Sequence, residues 1–189
     1  MRALFVAGGQ AYHGPTQERD IMVTTYMAFK LFELIGDTIQ VVTGGMPGIP
    51  DDFARAWQQA GGTHVLCVVS SEQETAFLER SQFPYIVVGE TQAKRRVAVT
   101  QLPNLKCAFV VQGGKYTTDE LRLLSQRGDV PIISYWGSGG AAGGKIPWDD
   151  DWVFDKKPDN PLICSDDPNE DPERVAIALA SQITAQFLQ

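Results

Sequence analysis

Seven short runs rich in β-branched residues alternate with six longer amphipathic stretches along the whole chain, and that alternation leaves few folds open. The short runs cover residues 3–7, 38–43, 64–69, 85–88, 107–111, 131–135 and 161–164. The helical patterns cover residues 16–34, 51–60, 72–80, 91–102, 117–126 and 172–187. Most of the short runs are apolar on both sides, as strands of a parallel sheet must be when helices cover both faces. The prediction is an α/β protein with a doubly wound, mostly parallel sheet. In such sheets, ligands bind beyond the carboxyl ends of the strands.

Two glycine-bearing loops fall at those ends. One is Val41-Val42-Thr43-Gly44-Gly45-Met46-Pro47-Gly48-Ile49-Pro50-Asp51, the other Phe109-Val110-Val111-Gln112-Gly113-Gly114-Lys115-Tyr116-Thr117-Thr118-Asp119-Glu120. A strand tip that hands over to a helix N-terminus presents unpaired amide groups and a positive dipole end. Glycine keeps a Cβ out of the way of an approaching anion. Ala7-Gly8-Gly9-Gln10 closes the first run and is a third place where backbone meets a ligand. Together the turns point to a phosphate-bearing ligand, a nucleotide or a sugar phosphate.

Other features constrain the reading. The 189 residues fit one domain, residues 1–189, with an irregular excursion at about 137–160. That excursion joins Gly137-Ser138-Gly139-Gly140-Ala141-Ala142-Gly143-Gly144 to an acidic, proline-bearing stretch, and is a candidate for a mobile excursion or a lid between the last two strands. Trp136 and Trp148 flank the glycines and are candidates to wall a base pocket. The net charge of −7, with no basic run longer than Lys94-Arg95-Arg96, argues against a nucleic acid polymer as partner. No apolar stretch reaches membrane-spanning length, and the first run reads as a strand rather than a signal peptide, so a cytoplasmic location is expected. Cys67, Cys107 and Cys164, without CxxC spacing, read as reduced core residues. Neither His13 nor His64 has a Cys or carboxylate partner at metal-ligand spacing, so no metal or cofactor is expected. His13 reads as a surface residue at the start of a helix and His64 as a core residue.

Several positions carry two readings. Asp51 and Asp52 suit the start of a helix, where they complement the dipole and face away from an anion. Thr117 and Glu120 have the spacing of a capping box. The same Glu120 carboxylate would also sit one helical turn from the phosphate-binding amides. Arg95 and Arg96 differ in direction by about 100° on a helix, so one of them is expected to face the cleft.

With these residues in view, the chain resembles the SLOG superfamily, Rossmann-like proteins that include the Lonely Guy phosphoribohydrolases and "lysine decarboxylase-like" proteins. Residues 41–49 are similar to the family loop VVTGGGPGI, with Met46 in place of one glycine. Gly113, Gly114, Thr117 and Glu120 match the second motif, GGxGTxxE, in which Tyr116 replaces the third glycine and Gln112 a preceding proline. The resemblance implies a homodimer or higher homo-oligomer that cleaves the N-glycosidic bond of a nucleoside 5′-monophosphate. Carried over by position, Glu120 and Arg95 assist cleavage, with Arg96 as second choice for the arginine. Gly8, Gly9, Thr43, Gly44, Gly45, Gly48, Arg96, Gly113, Gly114 and Thr117 hold the phosphate-bearing ligand. The alternative is a non-catalytic sensor of a nucleotide or NAD-derived signal, which the same superfamily also contains.

Overall fold

A computed structural model describes residues 1–144 and 157–189. Six parallel strands form one sheet: β1 (Arg2–Gly8), β2 (Ile39–Thr43), β3 (Val65–Val69), β4 (Tyr85–Val87), β5 (Leu105–Val111) and β6 (Ile132–Tyr135), in the order β4-β3-β2-β1-β5-β6. The helices between and after them are α1 (Gln17–Ile35), α2 (Ile49–Gln59), α3 (Ser71–Leu78), α4 (Gln92–Thr100), α5 (Lys115–Arg127) and α6 (Pro172–Phe187). The fold is the doubly wound, Rossmann-like α/β sheet that the alternation predicts.

Side-chain alternation along each strand divides the core in two. On β1, Leu4 and Val6 join the cluster under α1, α2 and α6, where Met27, Phe53, Trp57 and Leu179 are fully buried. Ala3, Phe5 and Ala7 point to the opposite face and pack with Val99 of α4 and Leu121 and Leu124 of α5. The pairing of β1 with β5 skips Lys106, because Ala3 pairs with Leu105 and Leu4 with Cys107. This single-residue bulge shifts the face phase of β5 from Cys107 onward.

The strand order places the site. From β1 the chain steps outward through β2 and β3 to β4, then crosses back to lay β5 on the other side of β1. Right-handed crossovers in opposite directions require helices on opposite faces. The connections leaving β1 and β5 therefore part, and a crevice opens at their carboxyl ends.

Three expectations are corrected. Residues 161–164 form a turn instead of a seventh strand. Cys164 donates its amide to Pro161 and Ser165 to Leu162, so local bonds curl the segment while Ile163 plugs the core. His64 lies outside β3, exposed, 3.6 Å from Asp37 at the amino end of the sheet. Cys67 and Cys107 are buried, but Cys164 is only partly so. Burial pushes the Cys67 and Cys107 thiols up to about 11 and about 12, which leaves them protonated at neutral pH. Of the excursion at 137–160, the part at 145–156, including Trp148, lies outside the described residues.

Phe109 sits fully buried on β5 with its ring 5.9 Å from that of Phe53. Phe109→Ala is expected to lower unfolding free energy by ~3–5 kcal/mol. Val97→Ala, at an exposed position on α4, should stay within ~0.5 kcal/mol. Urea denaturation of both variants checks the contrast.

Candidate functional site

The crevice between β1 and β5 holds a cavity of about 580 Å³. Gly8, Gly9, Gly44, Arg95, Gly113, Gly114, Thr117 and Glu120 line it, all of them singled out from the sequence. Three contacts bring their loops together. The Thr117 hydroxyl donates to the Gly8 carbonyl at 3.2 Å, tying the start of α5 to the tip of β1. The Ile49 amide donates to the Gly9 carbonyl at 3.1 Å, tying α2 to the same tip. The Arg95 guanidinium lies against Gly44, where a Cβ would fall 2.0 Å from Nη1.

Thr43, Gly45, Gly48 and Arg96 lie outside the cavity wall. Thr43 is buried beneath the loop, and its hydroxyl accepts from the Gly45 amide at 3.1 Å. Gly48, with φ of 87°, lies against the Gln10 backbone, which a Cβ would approach to 2.3 Å. These residues shape the loop that others present. As expected, Asp51 and Asp52 do not line the cavity; Asp51 pairs with Arg55 at 2.8 Å.

Gly114 differs from the other glycines of the wall. Its backbone is extended, with φ −112° and ψ −153°, a conformation open to any residue. A Cβ there would meet nothing within 4 Å. Packing within the chain does not account for glycine at this position, which is the N-cap of α5 and so one where glycine is among the favoured residues. Gly114 lines the cavity, and the space beside its Cα is open.

The capping box is corrected. Helix α5 begins at Lys115 with Gly114 as its N-cap, so Thr117 is already inside the first turn. Glu120 pairs instead with Arg95, Oε1 to Nη2 at 3.0 Å, with both side chains almost fully buried. Both arginines are buried rather than solvated: Arg95 lines the cavity, and Arg96 packs between Asp119 at 3.6 Å and the Tyr116 ring. Burial lifts the Glu120 carboxyl above the ordinary 4.5, against the opposing pull of Arg95 and Arg96. Arg95 Nε has no hydrogen-bond partner although it is buried. An orphaned donor of this kind has a strong demand for an acceptor.

Gln112 carries structure that its sequence position did not reveal. Among the described residues it is the one non-glycine with positive φ, at 49°. Its side chain accepts from the His13 amide at 3.0 Å and donates to the His13 carbonyl at 3.1 Å and to Asp20 at 2.7 Å. Asp20 is fully buried and also accepts from Thr16 at 2.9 Å and from Arg19 at 3.0 Å. Arg19 Nη1 and Nη2 reach the Ser165 and Gly137 carbonyls at 2.9 and 3.0 Å. This buried network fixes the loop after β1 so that exposed His13 lines the cavity. A buried Asp beside an Arg on an apolar helix face was the one signal that sequence offered for it.

The charged lining is Arg95, Lys115 and Glu120, two cations against one carboxylate in a chain of net charge −7. The free amides of α5 add a partial positive charge. The site can therefore hold an anion beside a group able to exchange a proton. No group of His, Cys, Asp and Glu among the described residues is arranged to hold a metal ion.

The architecture thus belongs to the Rossmann-like class, with its cavity at the point where strand order reverses. The X-ray structure of TM1055, a structural genomics target, is similar over 98% of this chain and 99% of its own, with a TM-score of 0.59 and 20% identity. That likeness shows the fold. No protein-family model matches the chain. No curated protein matches it either. No helix among the described residues is long and apolar enough to cross a membrane.

The folded protein holds the Glu120 proton more tightly than the unfolded chain does. Glu120 thus contributes stability that is complete below pH 4.5 and lost as pH rises toward its raised folded value. Glu120→Gln lacks that contribution. The difference in unfolding free energy between wild type and Glu120→Gln should move against wild type as pH rises from 4.5 through 7. Parallel curves from urea titrations at several pH values would contradict the assignment.

Proposed function

We propose that the cavity binds a nucleoside 5′-monophosphate or a related phosphoribosyl ligand and hydrolyses its N-glycosidic bond. The observation that carries this reading is Gly114, an N-cap glycine of the cavity wall at which a Cβ would meet no atom of the chain, so that the α5 amides stand open to an anion. The cationic lining of Arg95 and Lys115 supports it.

In this reading the phosphate lies on the amides of Gly114, Lys115 and Tyr116, and the ribose extends toward Glu120. The C1′–N bond breaks with its electron pair leaving on the base, and water oxygen bonds to C1′. Water gives up one proton in that step and the departing base takes one. Glu120, with a carboxyl pushed toward neutrality by burial, accepts the proton from water. Its charge also stabilises the positive charge developing on the ribose. Arg95 orients Glu120. Self-association of two or more copies belongs to the same reading.

A binding-only reading has one specific observation in its favour. Arg95 and Glu120 are already paired with each other at 3.0 Å. A sensor keeps such a pair closed, whereas an enzyme must open it.

Incubation with a panel of nucleoside monophosphates, followed by chromatographic detection of freed base, separates the two. Glu120→Gln should reduce turnover about 10²–10³-fold while binding of ribose 5-phosphate changes little. Full turnover in that variant would refute the role of Glu120. A ligand that raises Tm without being consumed would support the sensor. Gly114→Ala loses some N-cap preference but also reduces unfolded-chain entropy, so its stability should stay within about 1 kcal/mol of wild type. Its affinity for ribose 5-phosphate should fall at least tenfold, because the new methyl group stands where the anion approaches. Retained affinity would remove the observation on which the proposal rests.

A further inference from the structure

The preceding reading leaves the base without a binding surface, and Tyr116 supplies one. It is the second residue of α5, where the motif it resembles carries glycine. A bulky side chain there would be expected to crowd the phosphate. The ring instead packs against Arg96 of α4, whose guanidinium carbon lies 4.7 Å from the ring centroid. Arg96 is itself 8% exposed and held by Asp119 at 3.6 Å. One face of the ring is thus backed by an anchored cation, which fixes its orientation. The residue is nonetheless 54% exposed and lines the cavity.

An exposed aromatic ring backed by a cation, at the wall of the cavity, has the form of a stacking platform. Its backbone amide belongs to the same first turn as Gly114. A ligand whose phosphate rests on that turn has its planar end within reach of the ring. Anions are met by amides, Lys115 and Arg95; the Tyr116 face offers a flat apolar surface suited to an aromatic heterocycle. From this geometry we infer that Tyr116, backed by Arg96, stacks on the base of the bound nucleotide. The ligand class is thereby narrowed to phosphoribosyl compounds that carry an aromatic base, with purines favoured by their larger stacking area. The inference rests on the reading that the cavity takes a phosphoribosyl ligand.

Isothermal titration calorimetry of the full chain with adenosine 5′-monophosphate and with ribose 5-phosphate tests it. Tyr116→Ala should weaken adenosine 5′-monophosphate about tenfold and leave ribose 5-phosphate within about twofold. Tyr116→Phe keeps the π-face and should bind both as wild type does. Because Tyr116 is largely exposed, both variants should keep the wild-type Tm. An equal loss for the two ligands would show that Tyr116 acts on the phosphate and would overturn the inference. Tighter binding of adenosine 5′-monophosphate by Tyr116→Ala would show that the ring obstructs the site, and would overturn it as well. Wild type binding both ligands, with Tyr116→Ala unchanged, overturns the stacking role alone. Wild type binding neither overturns the phosphoribosyl reading, and the inference with it.

Discussion

Strand β1 has to pair in parallel with β2 on one edge and with β5 on the other, and the carboxyl end of the sheet is built around that constraint. A parallel pair needs a crossover, and crossovers of one hand running in opposite directions put their helices on opposite faces. The space above β1 and β5 is then lined by the loops that leave them, together with the loop after β2 and Arg95 of α4. The glycines at Gly8, Gly44 and Gly48 are there because backbone, a neighbouring side chain or an arginine packs where a Cβ would go. The crevice is a consequence of topology, and the chemistry is placed in what topology leaves empty.

Holding three loops around an opening costs conformational entropy, which the buried network centred on Asp20 offsets. Asp20 receives Thr16, Arg19 and Gln112, and Arg19 in turn reaches carbonyls on either side of the 145–156 segment. A buried carboxylate is tolerable only when its lone pairs are met, and here they are. The positive φ of Gln112 is the local strain that this network over-determines. Rigidity around the cavity therefore comes from polar contacts, while the two apolar clusters supply the stability beneath it.

The Arg95–Glu120 pair stands in a different balance. Its partners come from α4 and α5, which cover the same face of the sheet, and both are desolvated. Burial outweighs the two nearby guanidinium groups in setting the carboxyl, so Glu120 is poised to hold or release a proton. A structural ion pair in a core would gain from complete pairing; this one leaves the buried Arg95 Nε without an acceptor.

Much of this was legible in one dimension because its causes are local. Strand and helix patterns follow from side-chain periodicity, so six of the seven predicted strands and all six predicted helices are present among the described residues, and glycines at strand tips marked the cavity loops. Residues 161–164 misled because an apolar run of four has no period, and Pro161 with its local turn bonds decided against a strand. His64 misled because adjacency to a strand says nothing about which end of the sheet meets solvent. Thr117 and Glu120 have the spacing of a cap, but the helix begins at Lys115, and a guanidinium from another helix claims the carboxylate. The sequence by itself determined the layers, the sheet class and the loops that meet at its carboxyl end, since these depend on residues near one another in the chain. Only tertiary structure decided that Gln112 clamps the β1 loop, that Arg96 backs Tyr116 and that Gly114 faces open space. Those are contacts between distant segments, and no local pattern encodes which distant segment arrives.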